Sequence, residues 1–371
     1  MLYRSTQPLA KKDAYVPSDL VQFKILMDQG VEIVKNSFSL SGDLRVKVPS
    51  GAGAGTKNVT TEDVRYDGKI GVHSFIEDID CNVNGVTVEQ FHYYPRYVRM
   101  MTDITTDPAD LYSSESVCEL RVPNDWQSQK MLRGLGREAG NNNNAINEDS
   151  PFWLRPNFAL NKSNRNIRQS DLQVITVSFT LAQVNEALFG KDVGPQTTYS
   201  LKNLRLNYNT LPMDSGGDPL VFKTILVGNQ TIQSNNASLQ FQIRGMASAV
   251  SMSFQQQSHE SNAGFNNTET EIVPQIDNVQ FSFNDTPTSV ITHEVDNLLE
   301  MTANYIESLV DTGHTAVKPN NYYRNKCFGL GLNWAAMTDL ANQKFSVQID
   351  SDVSNNAPYN VYAYFQSMIF I

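Results

Sequence analysis

Apolar residues recur at every second position in segment after segment of this chain, and a period of two marks strands with one buried face. Phe38, Leu40, Leu44, Val46 and Val48 alternate with Ser39, Ser41, Asp43, Arg45 and Lys47, and Gly42 takes the remaining inward slot. Ile79, Cys81 and Val83 alternate up to Asn84-Gly85, and Val86 and Val88 alternate away from it. Asn-Gly between two such runs predicts a hairpin, because a type I′ turn needs positive φ at both central residues. The period returns at Ile175, Val177, Phe179 and Leu181, at Leu204, Leu206 and Tyr208, at Leu239, Phe241 and Ile243, and at Val279, Phe281 and Phe283. It continues through Phe345, Val347 and Ile349 into a last stretch that closes on Met368, Ile369, Phe370 and Ile371. Free termini usually fray, so this apolar end is expected to be a strand held inside a sheet or against a neighbouring subunit.

Helical spacing is scarce. Residues 18–29 predict a short helix, with Ser18 as N-cap, Leu20, Phe23 and Met27 on one face, and Gly30 as the stop. Thr180 to Gln183 fits a capping box for a brief turn with Val184 and Leu188 inward and Gly190 at its end. A further helix fits 293–311, where Val295, Leu298, Leu299, Tyr305, Ile306 and Leu309 share a face before Gly313. Without a βαβ rhythm, the strands predict an all-β chain of sandwiches or jelly rolls. Its 371 residues exceed the roughly 250–300 that one core holds. Two domains are therefore expected, with the junction at GKDVGPQTT, 190–198. The polar stretch 123–170, with its run Asn141 to Asn144, reads as an exposed excursion.

Composition excludes some functions. The formal net charge is −10 and no basic run exceeds Lys11-Lys12, which argues against genome packaging by clustered cations. Arg4, Lys11 and Lys12 lie on an N-terminal segment read as an exposed arm. Cys81, Cys118 and Cys327 have no metal-site spacing and read as buried free thiols. Residues 1–17 lack a secretory apolar core, and there is no run of about 18 apolar residues, so neither Sec export nor a membrane span is expected.

Chemical motifs fail on spacing. GAGAGTK at 51–57 departs from a Walker loop, because Thr56 separates Gly55 from Lys57, and reads as a hairpin loop. His293-Glu294 lacks the second histidine of HExxH and reads as an acidic helix start. Asp78/Asp80, Asp350/Asp352 and MDSGGD at 213–218 offer oxygen ligands but no calcium-loop spacing. Sequons at Asn58, Asn161 and Asn229 are expected by chance in an Asn-rich chain. His73, His92 and Glu89 do not match the metal cluster of a cupin-type enzyme. No catalytic, cofactor-binding or metal residue is assigned, and the chain is not read as an enzyme. Tyrosine-rich patches at 92–97 and at Tyr359, Tyr362 and Tyr364 point to a protein interface, and hence to oligomerisation.

The ordered set resembles the double jelly-roll major capsid proteins of tailless icosahedral DNA viruses, the lineage of adenovirus, virophages and membrane-containing phages. NSFSLSGDLRV at 36–46 is similar to that family's first strand, and GVHSFIEDIDCNVNGVTVEQF at 71–91 with the following YPRYVRM to its next hairpin and strand. YSLKNLRLNYNTLP at 199–212, SAVSMSF at 248–254, CFGLGLNW, KFSVQIDS and APYNVYAYF occupy corresponding places in the second half. The resemblance implies an N-terminal arm and helix over 1–30 and two eight-stranded jelly rolls, over 31–193 and 194–371, with few helices. It further implies pseudo-hexameric homotrimeric capsomers that self-assemble into a virion shell in the host cytoplasm. Their partners would be neighbouring capsomers, penton and minor capsid proteins, and an internal membrane through the arm, with no sequence-specific nucleic acid. A rival reading is a tandem β-sandwich that binds receptors or glycans, as a penton or spike.

Overall fold

The computed structural model describes residues 1–47, 64–106, 113–121, 149–191, 193–213, 218–271, 273, 276–283, 293–295, 298–309, 329–341, 343–354 and 357–371. The GAGAGTK loop, Val48, Asn58, Asn141 to Asn144, Gly313 and Cys327 lie outside them.

Two sheets build the first half. One holds β1 (Leu2–Thr6), β3 (Val31–Ile33), β4 (Ser39–Lys47), β7 (Ser150–Leu154), β8 (Ile167–Arg168) and β10 (Thr198–Pro212). The other holds β2 (Leu20–Leu26), β9 (Val174–Leu181), β5 (Ile76–Val83) and β6 (Val86–Phe91), in that spatial order. In the second half the orders are β11 (Val221–Ile232), β18 (Tyr359–Phe370), β13 (Met246–Gln256), β16 (Leu330–Asp339), and β12 (Asn236–Phe241), β17 (Phe345–Ser351), β14 (Ile276–Phe283), β15 (His293–Val295).

One winding rule generates both halves. The first strand pairs with the last, β1 with β10 and β11 with β18; the second pairs with the last but one, β2 with β9 and β12 with β17. The third position pairs with the other side of the last strand, as β13 with β18 and, in two pieces, β3 and β4 with β10. This inward winding into paired antiparallel sheets is the jelly roll. The described helices are α1 (Tyr94–Thr105), α2 (Ser114–Cys118), α3 (Val184–Ala187) and α4 (Leu298–Leu309). Both long ones fall at the same place in the winding, α1 between β6 and β7 and α4 between β15 and β16.

The alternation becomes the core directly. Phe38, Leu40, Leu44 and Val46 are buried, as are Phe345, Val347 and Ile349. Phe345 on β17 meets Phe365 on β18 edge-on at 5.4 Å, joining the two sheets of the second half. Phe158 bridges Phe38 and Phe179 in the first, at 6.0 and 6.4 Å. Asn84 and Gly85 form the expected turn with φ of 50° and 86° between the paired β5 and β6. At Gly42 a Cβ would come within 2.7 Å of both the Leu204 side chain and the Lys202 carbonyl, where β10 bulges, so only glycine lets the strands meet.

Several expectations need correction. Residues 18–29 are not helical: β2 pairs with β9 from Leu20 to Leu26, burying Val21, Phe23 and Ile25 while Leu20 and Leu26 stay 54% and 66% exposed. The apolar residues fit both periods, and the open edge of β9 decides for the strand. With β1, the expected arm thus supplies the first two strands of the first jelly roll. NSFSLSGDLRV becomes β4 and not the opening strand, and YPRYVRM is helix α1, started by Pro95 in its first turn. YSLKNLRLNYNTLP is β10, hydrogen-bonded to β1, β3 and β4 of the first half. The last strand hydrogen-bonded to β1, β3 and β4 thus ends at Pro212, and β11, from Val221, pairs with β18. His293-Glu294 lies in strand β15, paired with β14, and α4 starts only at Leu298. The capping box sits one turn later than expected, where the Glu186 carboxylate accepts the Gln183 backbone N–H at 3.1 Å, because Thr180 and Leu181 still belong to β9.

Candidate functional site at the seam between the jelly rolls

α1 lies against β18, and the two tyrosine-rich patches meet there. The chain turns left-handed at Tyr93 (φ 53°) and enters α1. The Tyr93 ring meets Tyr362 at 4.7 Å, and Tyr97 and Phe91 meet Tyr364 at 5.3 and 6.3 Å. The Arg96 guanidinium lies 4.3 Å over the Tyr362 ring and donates to the Gln255 side-chain oxygen. The Tyr362 hydroxyl donates to Glu260 at 2.6 Å, and that of Tyr364 to the Tyr93 carbonyl at 3.1 Å. β18 is buried on both faces here: Val361, Ala363 and Phe365 fill the second jelly roll, while Tyr362 and Tyr364 fill the seam. Tyrosines expected at a surface between subunits thus join the two halves of one chain.

Charge closes the seam beside the rings. Arg99 is 3% exposed and donates to Asp103 at 2.9 Å, to Asp67, and to Glu269 of the second half at 3.1 Å. Asp67 also accepts from Asn266 at 3.0 Å and from the Thr268 hydroxyl. Burial by itself would raise the Asp67 pKa, but Arg99 and these donors hold it below the usual carboxylate range. Such a network costs desolvation and is kept only with its hydrogen bonds complete.

A third group spans the same junction. Glu89 on β6 is 2% exposed and accepts from the Ala159 N–H at 2.7 Å and the Thr224 hydroxyl on β11 at 3.2 Å. Burial pushes its pKa up to about 7, against the pull of Lys162 and these donors. Burial lowers Lys162 to about 8, with Glu89 opposing, and its ammonium lies 5.3 Å over the Tyr97 ring. A cleft of about 400 Å³ opens alongside, between α1, β11, the end of β18 and Leu309 of α4.

The sequence candidates are dispersed. His73 is buried with its Nδ1 2.7 Å from the Tyr94 hydroxyl, and His92 pairs at 3.1 Å with Asp78. Neither shares ligands with Glu89, and no cluster of three metal-ligating side chains occurs among the described residues. Cys81 is buried as expected, but Cys118 is exposed at the end of α2. Asn161 uses its amide inside the fold, donating to the Phe38 and Pro156 carbonyls at 3.0 and 2.8 Å. Of 213–218, only Met213 and Asp218 are among the described residues. Arg99, Asp67 and Glu269 went unnoticed in the sequence; the available signal was the i,i+4 pair Arg99/Asp103 inside the apolar run of α1.

A chain of two like-wound jelly rolls sharing a buried seam defines a structural class, the double jelly roll. Solved structures of viral capsids and of a virophage share the fold. Faustovirus major capsid protein aligns over 100% of this chain and 90% of its own at a TM-score of 0.60 and 10% identity. The PBCV-1 virus capsid model aligns over 100% and 94% at 0.56 and 10%, and a chain of the Sputnik virophage over 99% and 85% at 0.52 and 13%. No protein-family model and no curated protein sequence matches the chain.

Proposed function

We propose that this chain is a major capsid protein, and that three copies close into a pseudo-hexagonal capsomer which tiles an icosahedral virion shell. The observation that carries this reading is the jelly-roll winding, run twice and overlapping the Faustovirus major capsid protein along the whole chain. Two similar jelly rolls per chain make a threefold ring nearly sixfold in outline, which suits hexagonal tiling. The unit boundary in this reading falls at 213–220, after β10 and before β11. Phe370 and Ile371, 64% and 41% exposed, are apolar groups that a neighbouring subunit would cover. Neighbouring capsomers, penton and minor capsid proteins would be the partners, with assembly in the host cytoplasm. An internal membrane would be met through the N-terminal arm, residues 1–30.

The rival glycan- or receptor-binding reading needs an exposed aromatic platform. Its best residues, Tyr362 and Tyr364, are 1% and 0% exposed in the seam, which favours the shell reading. Light scattering after size-exclusion chromatography is expected to give the mass of three subunits, and electron microscopy of the same fraction to show hexagonal capsomers. A stable monomer at micromolar concentration would overturn the proposal.

A further inference from the structure

Segment 257–271, between β13 and β14, crosses the seam as a strap over the first jelly roll. Its Ala263 carbonyl accepts the Gly190 N–H at 2.6 Å, and its Asn267 amide donates to the Asn185 carbonyl at 2.8 Å. Between the strap and the first half lies a small pocket of about 20 Å³, room for about one water. Among the described residues, three carboxyl groups and one guanidinium line it: Glu77 of β5, Glu186 of α3, Glu260 of the strap, and Arg96 of α1. We infer that the strap is a pH-sensitive latch, held down while Glu77 carries a proton and lifted when that proton leaves.

The hydrogen bonds around the pocket leave Glu77 out. Glu186 accepts the Gln183 backbone N–H at 3.1 Å and the Ser261 hydroxyl at 3.4 Å, and Glu260 accepts the Tyr362 hydroxyl at 2.6 Å and the Asn360 amide at 2.5 Å. The Arg96 guanidinium is engaged by Gln255 and by the Tyr362 ring. Glu77 feels its neighbours through space, with no hydrogen bond to its carboxyl among the described residues. Once all three carboxyls are ionised, they share one guanidinium across the seam, and like charges at close range disfavour each other. Burial first, then Glu186 and Asp78, push Glu77 up to about 8, against the pull of Arg96 and His92. His92 is itself paired with Asp78, and that hydrogen bond raises its pKa. Tyr93 of the α1 entry, Tyr199 of β10 and Tyr364 of β18 also face Glu77; burial holds each above the ordinary tyrosine value, so they stay neutral. A lifted strap returns Glu77 to water and toward its ordinary value of 4.5. Closure is therefore favoured at low pH and loses that favour as pH rises through 8.

The test is hydrogen exchange read by mass spectrometry on the purified full chain at pH 7 and pH 9, with rates corrected for the intrinsic pH dependence of exchange. A group with a pKa near 8 that is unprotonated in the open form shifts the closing equilibrium about tenfold over that span. Strap peptides are expected to exchange about tenfold faster at pH 9, while a reference peptide from β17 keeps its rate. Glu77→Gln, which has the shape of the protonated carboxyl, is expected to abolish the rise, and His92→Gln to leave it in place. An unchanged strap rate in the wild-type chain, an equal rise in β17, the full rise in a folded Glu77→Gln variant, or its loss in His92→Gln would overturn the assignment.

Discussion

Arg99 reaches three carboxylates while almost wholly out of water, two from its own jelly roll and Glu269 from the other. Removing one partner from such a set strands the rest in low dielectric, at a cost of about 3–5 kcal/mol. Arg99→Met is therefore expected to lower the urea midpoint by that equivalent, whereas Arg4→Met, whose Asp28 partner is 55% exposed, should change it by under about 1 kcal/mol. Glu89 gives a pH signature. Its pKa rises from 4.5 to about 7 on folding, so the folded state binds the extra proton between those values. The stability it contributes is complete below pH 4.5 and lost as pH climbs through 7. Glu89→Gln is expected to flatten the decline in melting temperature between pH 5 and pH 8, and an unchanged slope would refute the assignment. At Gly42, alanine meets a backbone carbonyl that cannot step aside, and about 1–3 kcal/mol of destabilisation is expected in denaturant titration. The inward slot of Gly42 was legible from alternation. The roles of Arg99 and Glu89 were not, because a charged residue in sequence carries no mark of which partners the fold will bring from more than a hundred positions away.

Period two identified most strands and failed where a short apolar run fits both periods. β2 is such a run: Leu20, Phe23 and Met27 make a helical face, and Val21, Phe23 and Ile25 make a strand face. Seven residues are too few for periodicity to decide; a waiting strand edge decides instead. The opposite error occurred at YPRYVRM, where the helix is set by Pro95 and by packing on β18, and neither shows as alternation. The element-level consequence concerns β1, which covers β10 from Leu206 to Thr210. Deleting residues 1–7 is expected to leave that edge unpaired, lowering the melting temperature and promoting aggregation. A truncated protein with unaltered melting and oligomeric state would show β1 to be a dispensable arm.

At the scale of the molecule, the shared winding of the halves was reached through resemblance, since no stretch of one half repeats the letters of the other. The seam was half legible: both tyrosine patches stood out, but nothing local said that they face each other within one chain. Because rings and buried charges lock the halves, a protease site inserted between Met213 and Asp218 and then cut is expected to leave both fragments co-eluting in native buffer and separating in urea.

Arg99 also shows what joining two jelly rolls in one chain permits. A pair of identical, separate subunits meeting about a twofold axis must repeat every contact, so an arginine at the boundary would always come as two. Covalent linkage lifts that constraint, and an asymmetric lock can be written once, with the cation on one side and its acceptor on the other. In the proposed capsomer, alternate boundaries around the ring would then be closed before any subunits meet. Assembly would have only the intervening ones left to make by diffusion, and a later variation in either half could alter an outer surface without disturbing its twin.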